Sequence, residues 1–135
     1  MILLNSLFYL RELRFEKEEI HALLNINANH EILSGHFPGF PVMPGVCMMQ
    51  ITREVFDKAT GFSVRIVKGD NIKFLAVLDP GQYRDVKLSI SYKAVDSAFD
   101  ITASIISVSA VPADGMPITF FKFKGIYREE SSFKQ

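Results

Sequence analysis

The sequence predicts an α+β domain in which an antiparallel sheet curves around one long helix. Three observations carry that expectation. Residues 86–93 alternate apolar and polar without a break, as a strand with one buried and one wet face does. Residues 46–59 place Val46, Cys47, Met48, Met49, Ile51, Val55, Phe56 and Ala59 on more than one stripe of a helix, so that helix needs cover on several sides. The chain is 135 residues long, 48% hydrophobic and 12% aromatic, enough to bury one core without disulfides or a structural metal. A single domain spanning residues 1–135 is expected.

The elements follow in order. Residues 1–10 are apolar, but they lack a basic leader and a small-residue cleavage site, and Arg11 and Glu12 follow at once, so no secretion signal is read there. A short amphipathic helix fits residues 15–24, yet Ile20, Ala22, Leu24 and Ile26 alternate, and a strand over residues 19–27 is the favoured assignment. Gly61 stands in the usual place for the C-terminal cap of the long helix. Residues 64–67 and 72–75 supply one or two strands, and Asp79-Pro80-Gly81 marks a turn. Strand patterns over residues 86–93 and 99–108 flank a turn at Asp96-Ser97. In the second, Ile106 and Val108 leave the phase set by Phe99, Ile101, Ala103 and Ile105, the sign of a bulge or of a covered far end. A turn at residues 112–115, a strand over 118–127 and a polar tail from 128 complete the chain. The pattern describes the hot-dog arrangement, a sheet wrapped around a central helix, and other antiparallel α+β folds satisfy it too.

Fifteen basic and fifteen acidic residues cancel, leaving no long-range field to gather nucleic acid or anionic lipid. Cys47 is the single cysteine, which points to a reducing, cytoplasmic setting. No apolar run reaches the roughly 18–20 residues of a membrane-spanning helix. Repeats, low-complexity tracts and phosphate-binding glycine loops of the Walker or Rossmann type do not occur.

The chemistry concentrates in Gly35-His36-Phe37-Pro38-Gly39-Phe40-Pro41-Val42-Met43-Pro44-Gly45-Val46, with three prolines and three glycines ahead of the helix. Fixed φ at the prolines and permissive φ at the glycines make a rigid, specifically shaped loop. With Pro44 near the first helical position, the N–H groups of Gly45 and Val46 point outward at the positive end of the helix dipole, suited to a carbonyl oxygen gaining negative charge.

This run resembles the signature of the 3-hydroxyacyl-[acyl-carrier-protein] dehydratases, hot-dog enzymes of fatty-acid and polyene synthesis. Residues 29–34 resemble the approach to the loop in that family. Residues 68–82, with Ile72-Lys73-Phe74 and Asp79-Pro80-Gly81, resemble its next strand and turn. The resemblance implies removal of water from a 3-hydroxyacyl thioester carried on phosphopantetheine, with no dissociable cofactor or metal. It places the catalytic histidine at His36, the carbonyl-polarising glycine at Gly45, and the catalytic acid at Gln50. Phe37, Pro38, Gly39, Met43, Pro44, Val46 and Met49 are the expected substrate contacts. An amide has no titratable proton, so Gln50 departs from the family pattern. Members with Glu there commonly carry Gln one turn later, where this chain has Glu54, and residues at i and i+4 share a helix face. The order of the pair is exchanged, and Glu54 is the candidate replacement acid. The resemblance further implies an acyl-carrier-protein partner and a homodimer with edge-joined sheets, a heterodimer with another hot-dog subunit being the variant form. In such dimers each tunnel combines the histidine of one subunit with the acid-bearing helix of the other.

Plainer readings stand beside these. Glu54 alone reads as a solvated helix charge paired with Arg53 or Lys58, Cys47 as a small buried hydrophobe, and Phe120, Phe121 and Phe123 as core. His21 and His30 have neither a metal-site spacing nor a loop like that of His36. Two other functions compete with the dehydratase: a non-catalytic subunit that binds acyl-carrier protein or pairs with an active dehydratase, and an acyl-thioester hydrolase.

Overall fold

Alternation in the second half of the chain becomes sheet register in the computed structural model, which describes residues 2–34, 42–108 and 115–130. Strands β1 (Phe8–Glu16) and β2 (Glu19–Ile26) come first, followed by helix α1 (Gly45–Thr60). Strands β3 (Val64–Phe74), β4 (Asp85–Val95), β5 (Ala98–Ser107) and β6 (Thr119–Glu129) complete the set. All six strands form one sheet in the order β1-β2-β4-β5-β6-β3, antiparallel throughout. Its inner face is the apolar half of the alternation: Ile20, Ala22 and Leu24 on β2, Val86, Leu88 and Ile90 on β4, Phe99, Ile101, Ala103 and Ile105 on β5. The polar half, including Ser89, Ser91, Thr102 and Ser104, faces outward. The phase change expected in β5 does not occur, since its alternate residues stay buried through Ser107; the register shift beside it, between Ile105 and Ile106, falls on β6, where Phe120 is the extra residue.

Two elements differ from the sequence expectation. The strand β1 was not anticipated. Its register slips between Leu10 and Glu12, so the half-buried Leu10 and Leu13 lie three residues apart and no simple alternation announces them. The two fragments expected at residues 64–67 and 72–75 are one strand, β3, whose register shifts twice against β6. Strand β2 takes the favoured assignment, joined to β1 through Lys17 and Glu18, both at positive φ. Asp96 and Ser97 repeat that two-residue turn between β4 and β5.

Helix α1 lies against the concave face. The Phe56 ring, fully buried, meets Tyr92, Phe99 and Tyr127 edge-on at centroid separations of 5.1, 5.3 and 5.3 Å. These contacts join the helix to β4, β5 and β6 at once, and Phe120, Phe121 and Phe123 are buried as expected. The helix stops at Gly61, whose φ of 83° needs glycine and whose N–H donates to the Asp57 carbonyl. Just before that stop, Asp57 Oδ1 accepts the Val64 N–H at 3.1 Å and Oδ2 pairs with Arg53 Nη1 at 3.0 Å, while the same Arg53 nitrogen donates to the Val64 carbonyl at 3.0 Å. Helix end and β3 start are thereby clamped together.

Two measurements check this packing. Phe56→Ala removes the ring shared by three strands and should lower the unfolding free energy by roughly 3–5 kcal/mol in denaturant titration. Burial raises the Asp57 carboxyl from 3.8 to about 6, outweighing the lowering by the Val64 N–H and the Arg53 guanidinium. Ionised Asp57 therefore costs stability: the cost is absent below the unfolded value of 3.8 and complete above about 6. Relative to Asp57→Asn, the native chain should gain roughly 2 kcal/mol between pH 7 and pH 4. A pH-independent difference between the two proteins would refute this account.

Candidate active site

The N-terminus of α1 is built by the end of the proline-rich run. Pro44, at φ −64° and ψ 144°, is the N-cap, and its carbonyl accepts the N–H groups of Cys47 and Met48 at 3.0 and 3.3 Å. Met43 is buried and fixed by its N–H to the Leu78 carbonyl at 2.9 Å. Among the described residues, the N–H groups of Gly45 and Val46 meet no acceptor, and no acidic side chain stands in the first turn. This is the outward-facing donor pair that the sequence predicts, with Pro44 one position earlier than the first helical residue.

A groove of about 600 Å³ opens beside these donors, lined by Met43, Gly45, Val46, Met48, Phe74 and the stretch 75–78. Val46 and Val77 are 69% and 66% exposed, and Phe74 and Leu75 about half exposed, so the groove continues into an apolar patch at the free edge of β3. Gly45 has a second reason to be glycine. A Cβ there would stand 2.6 Å from the Phe74 ring, which also stacks on Phe121 at 5.5 Å. Phe74 is a site residue that sequence reasoning did not single out, because a phenylalanine in a strand pattern signals only core.

Gln50 and Glu54 lie further along the helix. The Gln50 amide donates from Nε2 to Glu54 Oε2 at 2.6 Å, so the two share a helix face as the i, i+4 spacing requires. Glu54 is only 8% exposed, unlike the solvated charge of the plain reading, and Arg53 pairs with Asp57 in its place. The Glu54 carboxylate instead accepts backbone N–H groups from the start of the chain: Leu3 at 3.0 Å on Oε1 and 2.8 Å on Oε2, and Leu4 at 2.8 Å on Oε1. Those amides carry no side-chain signature, so only the presence of a carboxylate beside Ile51 and Val55 hinted that a partner was needed.

The remaining expectations sort as follows. Met49 is half-buried on α1. Cys47 is buried and burial pushes its thiol up, in keeping with a small core residue rather than a nucleophile. His30 Nδ1 accepts the Ile32 N–H and caps a short 3-10 turn, Glu31–Leu33. His21 lies on the outer sheet face beside Glu19 and Ser89. Among the described residues no three metal-ligating side chains gather, and no helix is long and apolar enough to cross a membrane. His36, Phe37, Pro38 and Gly39 lie outside the described residues.

Three comparisons bear on this arrangement. The family model for ApeI dehydratase, of the ApeI-like group, matches residues 12–110. A 3-hydroxyacyl-[acyl-carrier-protein] dehydratase FabZ of Clostridium acetobutylicum is 31% identical over 103 residues, 71% of this chain and 72% of that protein. A FabZ of Erythrobacter litoralis is 33% identical over 85 residues, and the match spans only 56% of its length. Among solved structures, the dehydratase heterocomplex ApeI:P from Xenorhabdus doucetiae superposes with a TM-score of 0.67 at 16% identity, over 90% of this chain and 97% of that one, which establishes the shared fold. A sheet wrapped around one helix, with the matched stretch running from β1 through β5, places this chain in the ApeI-like family of hot-dog dehydratases.

Proposed function

We propose that the protein dehydrates a 3-hydroxyacyl thioester, carried on the phosphopantetheine of acyl-carrier protein, to the 2-enoyl thioester in fatty-acid or polyene-type lipid synthesis. The observation that carries this reading is the pair of outward N–H groups at Gly45 and Val46, opening on an apolar groove. A thioester carbonyl held by the Gly45 N–H becomes more acidic at its α-carbon, because the enolate charge develops where the donors and the helix dipole point. Met43, Val46 and Phe74 supply the apolar wall for the acyl chain.

In this reaction His36 removes the α-proton. The electron pair of that C–H bond becomes the new Cα=Cβ bond, the Cβ–O bond breaks, and the hydroxyl leaves as water after receiving a proton. Gln50 holds the 3-hydroxyl by hydrogen bonding. Without a titratable group at that position, the proton taken by His36 is the one returned to the leaving oxygen, and the reaction balances without a separate acid. Phe37, Pro38 and Gly39, next to His36 in the sequence, are proposed substrate contacts, and a cytoplasmic setting suits the free thiol of Cys47.

The amide at Gln50 favours one second reading, a subunit that binds acyl-carrier protein or pairs with an active dehydratase. Either reading uses a dimer. The free edge of β3 and the exposed Val46, Phe74, Leu75 and Val77 form one continuous surface for a second hot-dog chain, a copy of this one or a related subunit.

Incubating the pure protein with a 3-hydroxyacyl thioester should give enoyl product. His36→Ala should cut the rate by roughly 10²-fold or more without lowering the melting temperature. Product formation that survives this change, or release of free thiol in place of enoyl product, would overturn the assignment. The double exchange Gln50→Glu with Glu54→Gln restores the familiar order and keeps a carboxylate–amide bond. It should raise the rate at least about tenfold if the chain is a retired subunit, and leave an active enzyme no faster. Light scattering should show a dimer at micromolar concentration, alone or with a second hot-dog subunit, and a stable monomer under both conditions would remove the composite site.

A further inference from the structure

We infer that Glu54 is a positioning residue, whose carboxylate aims the Gln50 amide and ties it to the turn formed by residues 3–8. This deepens the proposed dehydration and rests on Gln50 as the residue that meets the substrate hydroxyl.

Three donors converge on Glu54 in four contacts: the Leu3 N–H shared between both oxygens, the Leu4 N–H and the Gln50 amide, and in every one the carboxylate is the acceptor. Both oxygens are engaged by donors from within the protein. The backbone donors are themselves held. The Leu3 carbonyl accepts N–H groups from Ser6, Leu7 and Phe8 at 3.1, 2.8 and 3.3 Å, and the Ser6 hydroxyl at 3.2 Å, which winds the turn around one residue. Asn5 adopts φ 69° within it, a conformation asparagine tolerates better than most residues. Leu3, Leu7 and Phe8 are buried. On the far side, the Asn27 N–H donates to the Leu7 carbonyl at 2.7 Å and Asn27 Nδ2 to the Ser6 carbonyl at 2.9 Å. A chain of bonds therefore runs from the end of β2 through the turn to Glu54 and on to Gln50.

The chemistry at position 54 follows. Two of the three donors are backbone N–H groups held in the turn, so the carboxylate is restrained, and its bond to Nε2 orients the Gln50 amide. A glutamine at 54 would bring one acceptor oxygen and an NH₂ group to a place where only donors arrive, leaving at least one backbone N–H or the Gln50 amide without its bond. Pre-set amide orientation is what a side chain that holds a leaving hydroxyl requires.

The test uses Glu54→Gln and, with Glu54 intact, Asn27→Ala, which loosens the far end of the chain of bonds. Amide hydrogen exchange at Leu3 and Leu4 and the side-chain amide resonances of Gln50 are read by NMR, and dehydration is followed across pH. In Glu54→Gln, exchange at Leu3 and Leu4 should quicken at least about tenfold and the Gln50 resonances should move. Its kcat should fall roughly tenfold to a hundredfold at nearly constant KM, with the shape of the pH–rate profile unchanged. Asn27→Ala should reproduce the exchange and resonance changes in weaker form. A second limb in the native pH profile that Glu54→Gln removes, with Leu3, Leu4 and Gln50 undisturbed, would make Glu54 the acid and overturn the proposal. Unchanged resonances in both variants would overturn it too. If the native chain dehydrates no substrate, the proposed activity fails by itself, and the exchange and resonance changes still decide whether Glu54 positions Gln50.

Discussion

One helix must be covered by one sheet, and the rest of the molecule is arranged around that requirement. Helix α1 buries Cys47, Met48, Ile51, Thr52, Val55 and Phe56, more than a single stripe, so a flat sheet would leave apolar surface in water. Six twisted strands curve enough to reach several sides, and the Phe56 ring, touching aromatic residues on β4, β5 and β6, marks the line of closest approach. What the sheet cannot reach is covered by residues 3–8, through Leu3 and Leu7. The helix N-terminus stays open, with Val46 exposed and the β3 edge alongside it. The same constraint thus produces the core and the exposed donors.

Glu54 belongs to this scheme as much as any apolar residue. An unpaired carboxylate inside a protein costs several kcal/mol, and hydrogen bonds to a charged group return roughly 1.5–3 kcal/mol each. Residues 3 and 4 have the complementary difficulty. They precede β1, so no strand ladder accepts the two N–H groups that face the protein interior, and buried donors need acceptors. A carboxylate on the helix answers both requirements, which is why a polar group persists where a solvent-facing charge was the plain expectation.

Most of the fold was legible where the residues follow one period. Strands β2, β4 and β5 alternate cleanly, β6 does so after the buried pair Phe120 and Phe121, and α1 ends at a glycine that its backbone angle demands. Legibility failed at the bulges. In β1 the shift between Leu10 and Glu12 hides the buried face, and in β3 two shifts cut one strand into two apparent pieces. The site divides in a similar way. The donors at Gly45 and Val46 could be read because the fixed φ of Pro44 suits a helix start, and the contact of Gln50 with Glu54 because helix spacing dictates it. Backbone amides from a distant segment leave no mark in the sequence, and neither does the ring of Phe74 resting on Gly45.

The exchange of Gln and Glu along α1 moves the negative charge by one turn, about 6 Å along the axis from a rise of 1.5 Å per residue. That distance removes the charge from the neighbourhood of the open donors and delivers it to the amides of residues 3 and 4, where it is bonded on both oxygens. Elimination of water does not suffer from this in its proton balance, since the proton leaving the α-carbon and the proton joining the hydroxyl cancel. What an acid at position 50 contributes beyond balance is timing, a proton available before the base has acquired one. In the proposed dehydration, with an amide at position 50, proton donation follows proton removal, so charge builds on the thioester oxygen before the C–O bond gives way. In the proposed reaction such an order places more of the barrier on the N–H donors at the helix N-terminus, where Pro44 caps the helix and the Phe74 ring rests on Gly45.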